Sequence, residues 1–150
     1  MKEFAIIGLG NFGATVAEEL AGLKCRVTAI DIDKGRVGQV QDLVDLAILS
    51  DATERAFLEN IEVDKFDCFI ISTGVDSHAA ILITLYLSEL GAKRIIVKAN
   101  SSDHAKILRK VGASETIIPE EQMAVRLAHS IAQSNLLDYL PLTGDYIVAE

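Results

Sequence analysis

The 150-residue chain has a formal charge of −8, an isoelectric point near 4.8 and a mean hydropathy of +0.31. That length supports one domain with a real core and no disulfide staples, and the acidity argues against a nucleic-acid partner, which requires a basic face. Half of the residues are hydrophobic, yet no apolar run approaches the ~18 residues of a membrane span, so the excess points to subunit contacts. The opening residues, Met1 to Gly10, carry a short apolar run broken by glycine and do not read as a signal peptide. Cys25 and Cys68 stand alone at strand-like positions with no zinc spacing, which reads as buried thiols in a reducing cytosol.

In chain order, Phe4 to Ile7 predicts the first strand and Phe12 to Leu23 the first helix, with Val16, Ala17 and Leu20 at helical spacing. Between them lies Gly-Leu-Gly-Asn-Phe-Gly, a G-x-G-x-x-G fingerprint in its proper strand–turn–helix context. Gly8 would permit the turn, Gly10 would let phosphate approach the backbone, and Gly13 would let helix and strand pack closely. The helix start offers free N–H groups and a positive dipole end to an anion. A second strand over residues 26 to 30 ends at Asp31, 18 residues beyond Gly13. A carboxylate there can accept hydrogen bonds from both ribose hydroxyls and would repel a 2′-phosphate. The competing reading is that Asp31 opens a turn with Asp33.

Lys34 to Asp42 predicts a short helix weakened by Gly35 and Gly38, followed by a third strand over Leu46 to Leu49. Ser50 to Thr53 form a turn into a helix from Glu54 to Asn60, and Cys68 to Ser72 form a fourth strand, apolar throughout as befits a sheet covered on both faces. Ser77 to Leu90 predicts a helix capped by Asp76 or Ser77 and closed by Gly91. Nine of the twelve residues from Ala79 to Leu90 are apolar. The expectation is that its outer face forms an oligomer interface, against the alternative of a helix sandwiched within the domain.

Arg94 to Lys98 follows as a fifth strand, Asp103 to Val111 as a helix stopped by Gly112, and Glu115 to Ile118 as a sixth strand. Pro119 starts a long helix, with Glu120 and Glu121 in its first turn, reaching about Leu137. The alternation predicts an α/β fold, a Rossmann-like doubly wound parallel sheet of six strands. Residues 1–137 are expected to form the nucleotide-binding domain, and residues 138–150 a tail that begins a second lobe.

The loops at the strands' carboxyl ends collect Gly8, Gly10, Asn11, Phe12, Asp31, Ile32, Asp33, Asp51, Ala52, Thr53, Thr73, Gly74, Lys98 and Asn100 at one address in the fold. Thr53 either caps the next helix or touches ligand; Lys98 is either a solvated strand-end lysine or a partner for phosphate or ribose. Glu120 either answers the helix dipole or contacts ligand. No nucleophilic triad surrounds His78, His104 or His129, and the chain has no room for the substrate domain of a hydride-transfer enzyme. Binding without turnover is therefore expected, with neither catalytic nor metal-ligating residues assigned.

The glycine string, Asp31-Ile32-Asp33, Asp51-Ala52-Thr53, Val97-Lys98-Ala99-Asn100 and the stretch Lys110 to Glu120 together resemble the RCK/KTN (TrkA-N) family. These are nucleotide-binding gating subunits and domains of Trk and Ktr-type potassium uptake systems and potassium channels. The resemblance spans essentially the whole chain and implies a Rossmann lobe followed by a C-terminal crossover helix, here Glu120 to Leu137. It implies a cytoplasmic subunit at the inner face of the cell membrane, dimeric and ring-forming, that binds NAD(H) or ATP/ADP as regulatory ligands and gates an integral membrane potassium partner. By the same resemblance, Gly8, Gly10 and Gly13 form the phosphate turn, Asp31 holds ribose, Asp51 and Ala52 frame adenine, and Lys98 and Glu120 lie near ligand or ion. Many ATP-responsive members have arginine where this chain has Asn11. The alternatives are an NAD-dependent oxidoreductase fragment without its substrate domain, or a methyltransferase using an adenosyl cofactor.

Overall fold

A computed structural model describes residues 1–133 together with the backbone of 140–142 and 145–147. The chain divides into two compact units, Met1–Ile117 and Ile118–Glu150. In the first unit the order is β1 (Glu3–Ile7), α1 (Asn11–Gly22), β2 (Arg26–Asp31), α2 (Lys34–Val40), β3 (Leu46–Leu49) and α3 (Arg55–Asn60). After a 3-10 turn at Val63–Lys65 come β4 (Cys68–Ile71), α4 (Ser77–Glu89), β5 (Ile95–Lys98), α5 (Ser102–Val111) and β6 (Glu115–Ile117). All six strands form one sheet in the order β3-β2-β1-β4-β5-β6, and each pairing is parallel. The predicted doubly wound architecture is the one observed. Strand order reverses beside β1, whose neighbours are β2 and β4, and a crevice opens there at the carboxyl ends.

Side chains alternate across each strand, which divides the core into two layers. Ile6, Val27, Ala29, Cys68 and Ile70 pack with Leu9, Ala17, Val37 and Val40 on the side of α1 and α2. Ala5, Ile7, Ile30, Phe69 and Ile71, of the opposite parity, are equally buried; Phe69 meets Phe66 with ring centroids 5.0 Å apart. Central strand β4 is buried along its whole length, whereas edge strand β3 leaves Leu46 and Leu49 half exposed. That contrast is what separates a central parallel strand from an edge.

Several boundaries move. The first helix starts at Asn11, one residue early, because Gly10 is its N-cap; α2 stops at Val40, short of Asp42. The reversal after α1 falls on Lys24, at φ +65°, while Gly22 remains helical. Helix α4 lies between α3 and α5. It buries Ala79, Ala80, Ile83, Thr84 and Leu87, while Ile81, Leu82, Leu85 and Tyr86 are partly covered. Packing on α3 and α5 thus covers only part of its apolar surface, and those four residues stay partly exposed on the single chain.

In the second unit, α6 (Pro119–Ala132) begins with proline in its first turn and Glu120 and Glu121 behind it. It ends at Ala132, with Gln133 leaving helical geometry at ψ 144°, so the helix is shorter than the predicted run to Leu137; residues 134–137 lie outside the described residues. Met123, Val125, Leu127 and Ile131 are exposed on it. Strands β7 (Leu140–Leu142) and β8 (Asp145–Ile147) pair antiparallel, within the expected tail.

Candidate functional site

Three glycines shape the loop after β1, each for a different reason. Gly8 sits at φ +98° and donates its N–H to the Ile30 carbonyl at 2.9 Å; a Cβ there would overlap the Ser72 carbonyl oxygen at the end of β4. Side chains rarely adopt that φ, so only glycine closes this turn against two strands at once. At Gly13 a Cβ would overlap the Gly8 carbonyl oxygen, so its absence sets how closely α1 approaches the loop. Gly10 is unlike both, with no heavy atom within 4 Å of where its Cβ would stand. The protein itself does not require glycine at that point. As N-cap it contributes no side-chain bond to α1, so the first-turn N–H groups and the positive dipole end have no capping side chain.

Asp31, at the tip of β2, is buried with 6% exposure. Its Oδ2 accepts the Leu9 N–H at 2.6 Å and its Oδ1 accepts the Asp33 N–H at 2.8 Å. The carboxylate is thus a staple from the second strand to the glycine loop, and the turn with Asp33 coexists with it. Asp33 then caps α2, accepting from Gly35 N–H at 2.8 Å and Arg36 N–H at 3.4 Å. Each carboxylate oxygen has two lone-pair sites, so Asp31 retains capacity for further donors.

The crevice encloses about 220 Å³. The ends of β1 and β2 contribute Ile7, Gly8, Ile30, Asp31 and Ile32; the loop after β3 contributes Ser50 to Thr53; and Ser72, Thr73, Asp76, Ala79 and Ile83 form the wall from β4 and α4. Asp51 organises its own loop: its Oδ1 accepts the Thr53 N–H at 2.9 Å and the Thr53 hydroxyl at 2.6 Å. Thr53 is therefore no cap, since Glu54 is the N-cap of α3 and makes no side-chain bond. On the opposite wall the Thr73 hydroxyl donates to the Asp76 carbonyl at 2.7 Å, and the Asp76 carboxylate caps α4 through the Ala79 N–H at 2.9 Å.

Of the residues expected from sequence, Gly8, Asp31, Ile32, Asp51, Ala52, Thr53 and Thr73 line this one crevice. Gly10, Asn11, Phe12 and Gly13 are the cap and first turn of α1. Lys98 ends β5 with its Nζ 5.8 Å from the Phe12 ring centroid, which brings a positive charge to that first turn. Gly74, at φ +67°, is exposed in the β4–α4 loop outside the lining. Glu120 is exposed in the first turn of α6, in the second unit.

Sequence reasoning did not single out Arg36, Ser50, Ser72, Asp76, Ala79 or Ile83 as wall residues. Ser72 and Asp76 carried a signal, because they flank the Thr73-Gly74 pair. Asn100, named for the same loops, donates its side-chain N–H to Ser77 Oγ at 2.8 Å. His104 is buried; its Nδ1 accepts the Asn100 N–H at 3.0 Å while Nε2 lies 3.1 Å from the Ser77 carbonyl. That pairing fits a neutral ring with the proton on Nε2, so this histidine ties two loops together. At the far, amino end of the sheet, burial pushes the Cys68 thiol up, which keeps it protonated and unreactive. Among the described residues no group of three or more His, Cys, Asp or Glu side chains is arranged to hold a metal ion, and no helix is long and apolar enough to cross a membrane.

A family model described as the TrkA-N domain matches residues 4–119. The Ktr system potassium uptake protein C of Bacillus subtilis (strain 168) is 40% identical over 149 residues, covering 99% of this chain and 67% of that protein. The Ktr system potassium uptake protein A of Vibrio alginolyticus is 36% identical over 149 residues, covering 99% and 68%. Among solved structures, the GsuK channel bound to NAD aligns with a TM-score of 0.71 at 15% identity, over 84% of this chain and 23% of that one. GsuK bound to ADP aligns with a TM-score of 0.72 at 23% identity, over 87% and 34%. The structural likeness carries the fold; the family match and the two uptake proteins carry kinship, and the chain belongs to the TrkA-N family.

Proposed function

We propose that the crevice binds an adenine nucleotide, NAD(H) or ATP/ADP, as a regulatory ligand, and that the chain gates a membrane potassium transporter or channel subunit in response. The observation that carries the reading is the α1 start: an uncapped helix N-terminus with open space at Gly10, beside a crevice at the sheet's switch point. Phosphates would lie against Gly8, Gly10, Asn11, Phe12 and Gly13, with Lys98 supplying charge. Ribose would meet Asp31 and Ile32, and adenine would meet Asp51 and Ala52 across from Thr73, with Gly74 at the mouth. Glu120 keeps the role that family resemblance gives it, near ligand or ion. The volume, below the roughly 300–1,000 Å³ of enclosed small-molecule sites, suits the adenosine end of such a ligand with its phosphates outside.

The ligand acts by binding two arrangements of the assembly with different affinity, and one that bound both equally would shift nothing. Kinship with potassium uptake proteins supports sensing without turnover. Membership in the same family as potassium uptake proteins supports the partner and a place at the inner face of the membrane. The exposed residues Met123, Leu127 and Ile131 recur every four positions on α6, a stripe suited to a second copy of the chain; a monomer by sedimentation at micromolar concentration would exclude that contact.

A thermal-shift panel of NAD, NADH, ATP, ADP and AMP tests the nucleotide reading. A ligand at 100 times its dissociation constant adds about 2.7 kcal/mol of stability. Indifference to all five would end it, whereas NADH turnover with a carbonyl substrate would favour the oxidoreductase alternative.

A further inference from the structure

Three carboxylates line the crevice, Asp31, Asp51 and Asp76, against one cation among its described lining residues, Arg36. Read from sequence, the acid at the second strand's tip excludes a phosphate on the ribose 2′ position. The structure weakens that exclusion in two ways. First, the three acids are committed to the backbone: Asp31 to the N–H groups of Leu9 and Asp33, Asp51 to that of Thr53, and Asp76 to that of Ala79. A carboxylate that already accepts backbone donors spreads its charge over them and repels a neighbouring anion less.

Second, the Arg36 guanidinium shares a wall with Asp31. Its Nη1 stands 4.0 Å from Asp31 Oδ2, close enough to offset that charge and too long to be a hydrogen bond. The side chain is 55% exposed, so its planar fork of five donors is open to a ligand. Asp33, the other carboxylate of this turn, points to the N–H groups of Gly35 and Arg36 and does not line the crevice. In dinucleotide folds an acid at this point holds a free 2′-hydroxyl, and a nearby arginine accommodates a 2′-phosphate. This crevice has both.

We propose that Arg36 is the residue that sets ribose selectivity, and that it lets the crevice accept 2′-phosphorylated adenine dinucleotides alongside unphosphorylated ones. The inference rests on the nucleotide reading above and concerns only what the 2′ position carries. Free ribose hydroxyls donate to the remaining lone pairs of Asp31, while a 2′-phosphate turns outward to the guanidinium and is held by paired N–H···O contacts.

Isothermal titration of NADH and NADPH into the 150-residue chain and its Arg36→Ala and Arg36→Lys variants, all at one ionic strength because such contacts are screened, tests this. NADPH should bind the native chain within about tenfold of NADH. Arg36→Ala should weaken NADPH by about tenfold or more and NADH by less than about threefold, and Arg36→Lys should recover part of the NADPH loss. Normal NADH binding with NADPH weaker by more than about tenfold would overturn the inference and leave the nucleotide reading standing, as would an equal loss of both ligands in Arg36→Ala. Failure of both dinucleotides and of ADP would overturn the reading itself.

Discussion

Two loops leave the central strands side by side and enter helices at the same crevice, yet they are held in opposite ways. The loop Gly8–Gly13 is fixed from every side: by the Ile30 carbonyl, by Ser72 against Gly8, by the Gly8 carbonyl against Gly13, and by the buried Asp31 carboxylate on Leu9. The loop Thr73–Asp76 holds mainly to itself, through the Thr73 hydroxyl, the Asp76 cap and backbone bonds across the turn. Its Val75 is 97% exposed and Gly74 has no atom within 4 Å of a Cβ position. The first loop is braced on several sides; the second has few contacts beyond its own turn, the condition under which a segment opens at low cost.

Substitutions should separate the two loops in a definite order. Gly13→Ala forces a methyl into the Gly8 carbonyl, where only backbone can yield, and should cost about 3 kcal/mol or more; chemical denaturation would show it, and a native midpoint would break the comparison at its root. Asp31→Ala orphans the buried Leu9 N–H and should cost about 1–3 kcal/mol, while weakening NADH, ADP and AMP together in titration. Asp76→Ala removes one helix cap and should cost about 1 kcal/mol, read from thermal melts of the ligand-free chain. Gly74→Asn should cost only a few tenths of a kcal/mol, since asparagine tolerates a positive φ; a large loss there would mean the second loop is as constrained as the first.

The first four strands were legible because each is a short apolar run ending in glycine, serine or an acid, and because β4 shows no polar alternation. The glycine loop was legible for the same steric reasons that the structure displays. Less visible was the double duty of Asp31, since a hydrogen bond to Leu9 depends on two strand ends meeting in space. For Thr53 only the capping alternative fails, because its hydroxyl donates to Asp51, while the residue itself lines the crevice. Arg36 gave no signal at all: one arginine on a seven-residue helix with two glycines looks like solvent-facing surface, and only the fold sets it beside Asp31. The α4 pattern is apolar on several faces; α3 and α5 cover part of that surface, a share that no local periodicity could reveal, and Ile81, Leu82, Leu85 and Tyr86 stay partly exposed.

The central position of β1 has a consequence for biogenesis. Ile7 pairs with Ile30 on one side and with Ile71 on the other, so at roughly 5–20 residues per second the ribosome delivers the second partner several seconds after the first. Until that partner docks, the Ser72 oxygen that braces Gly8 is missing, and half of the cradle exists without its counterpart wall. Under the proposed function, competence to capture nucleotide would arrive with the pairing of β1 and β4 and not before, which would make a bound fluorescent nucleotide analogue a reporter of completed assembly during refolding.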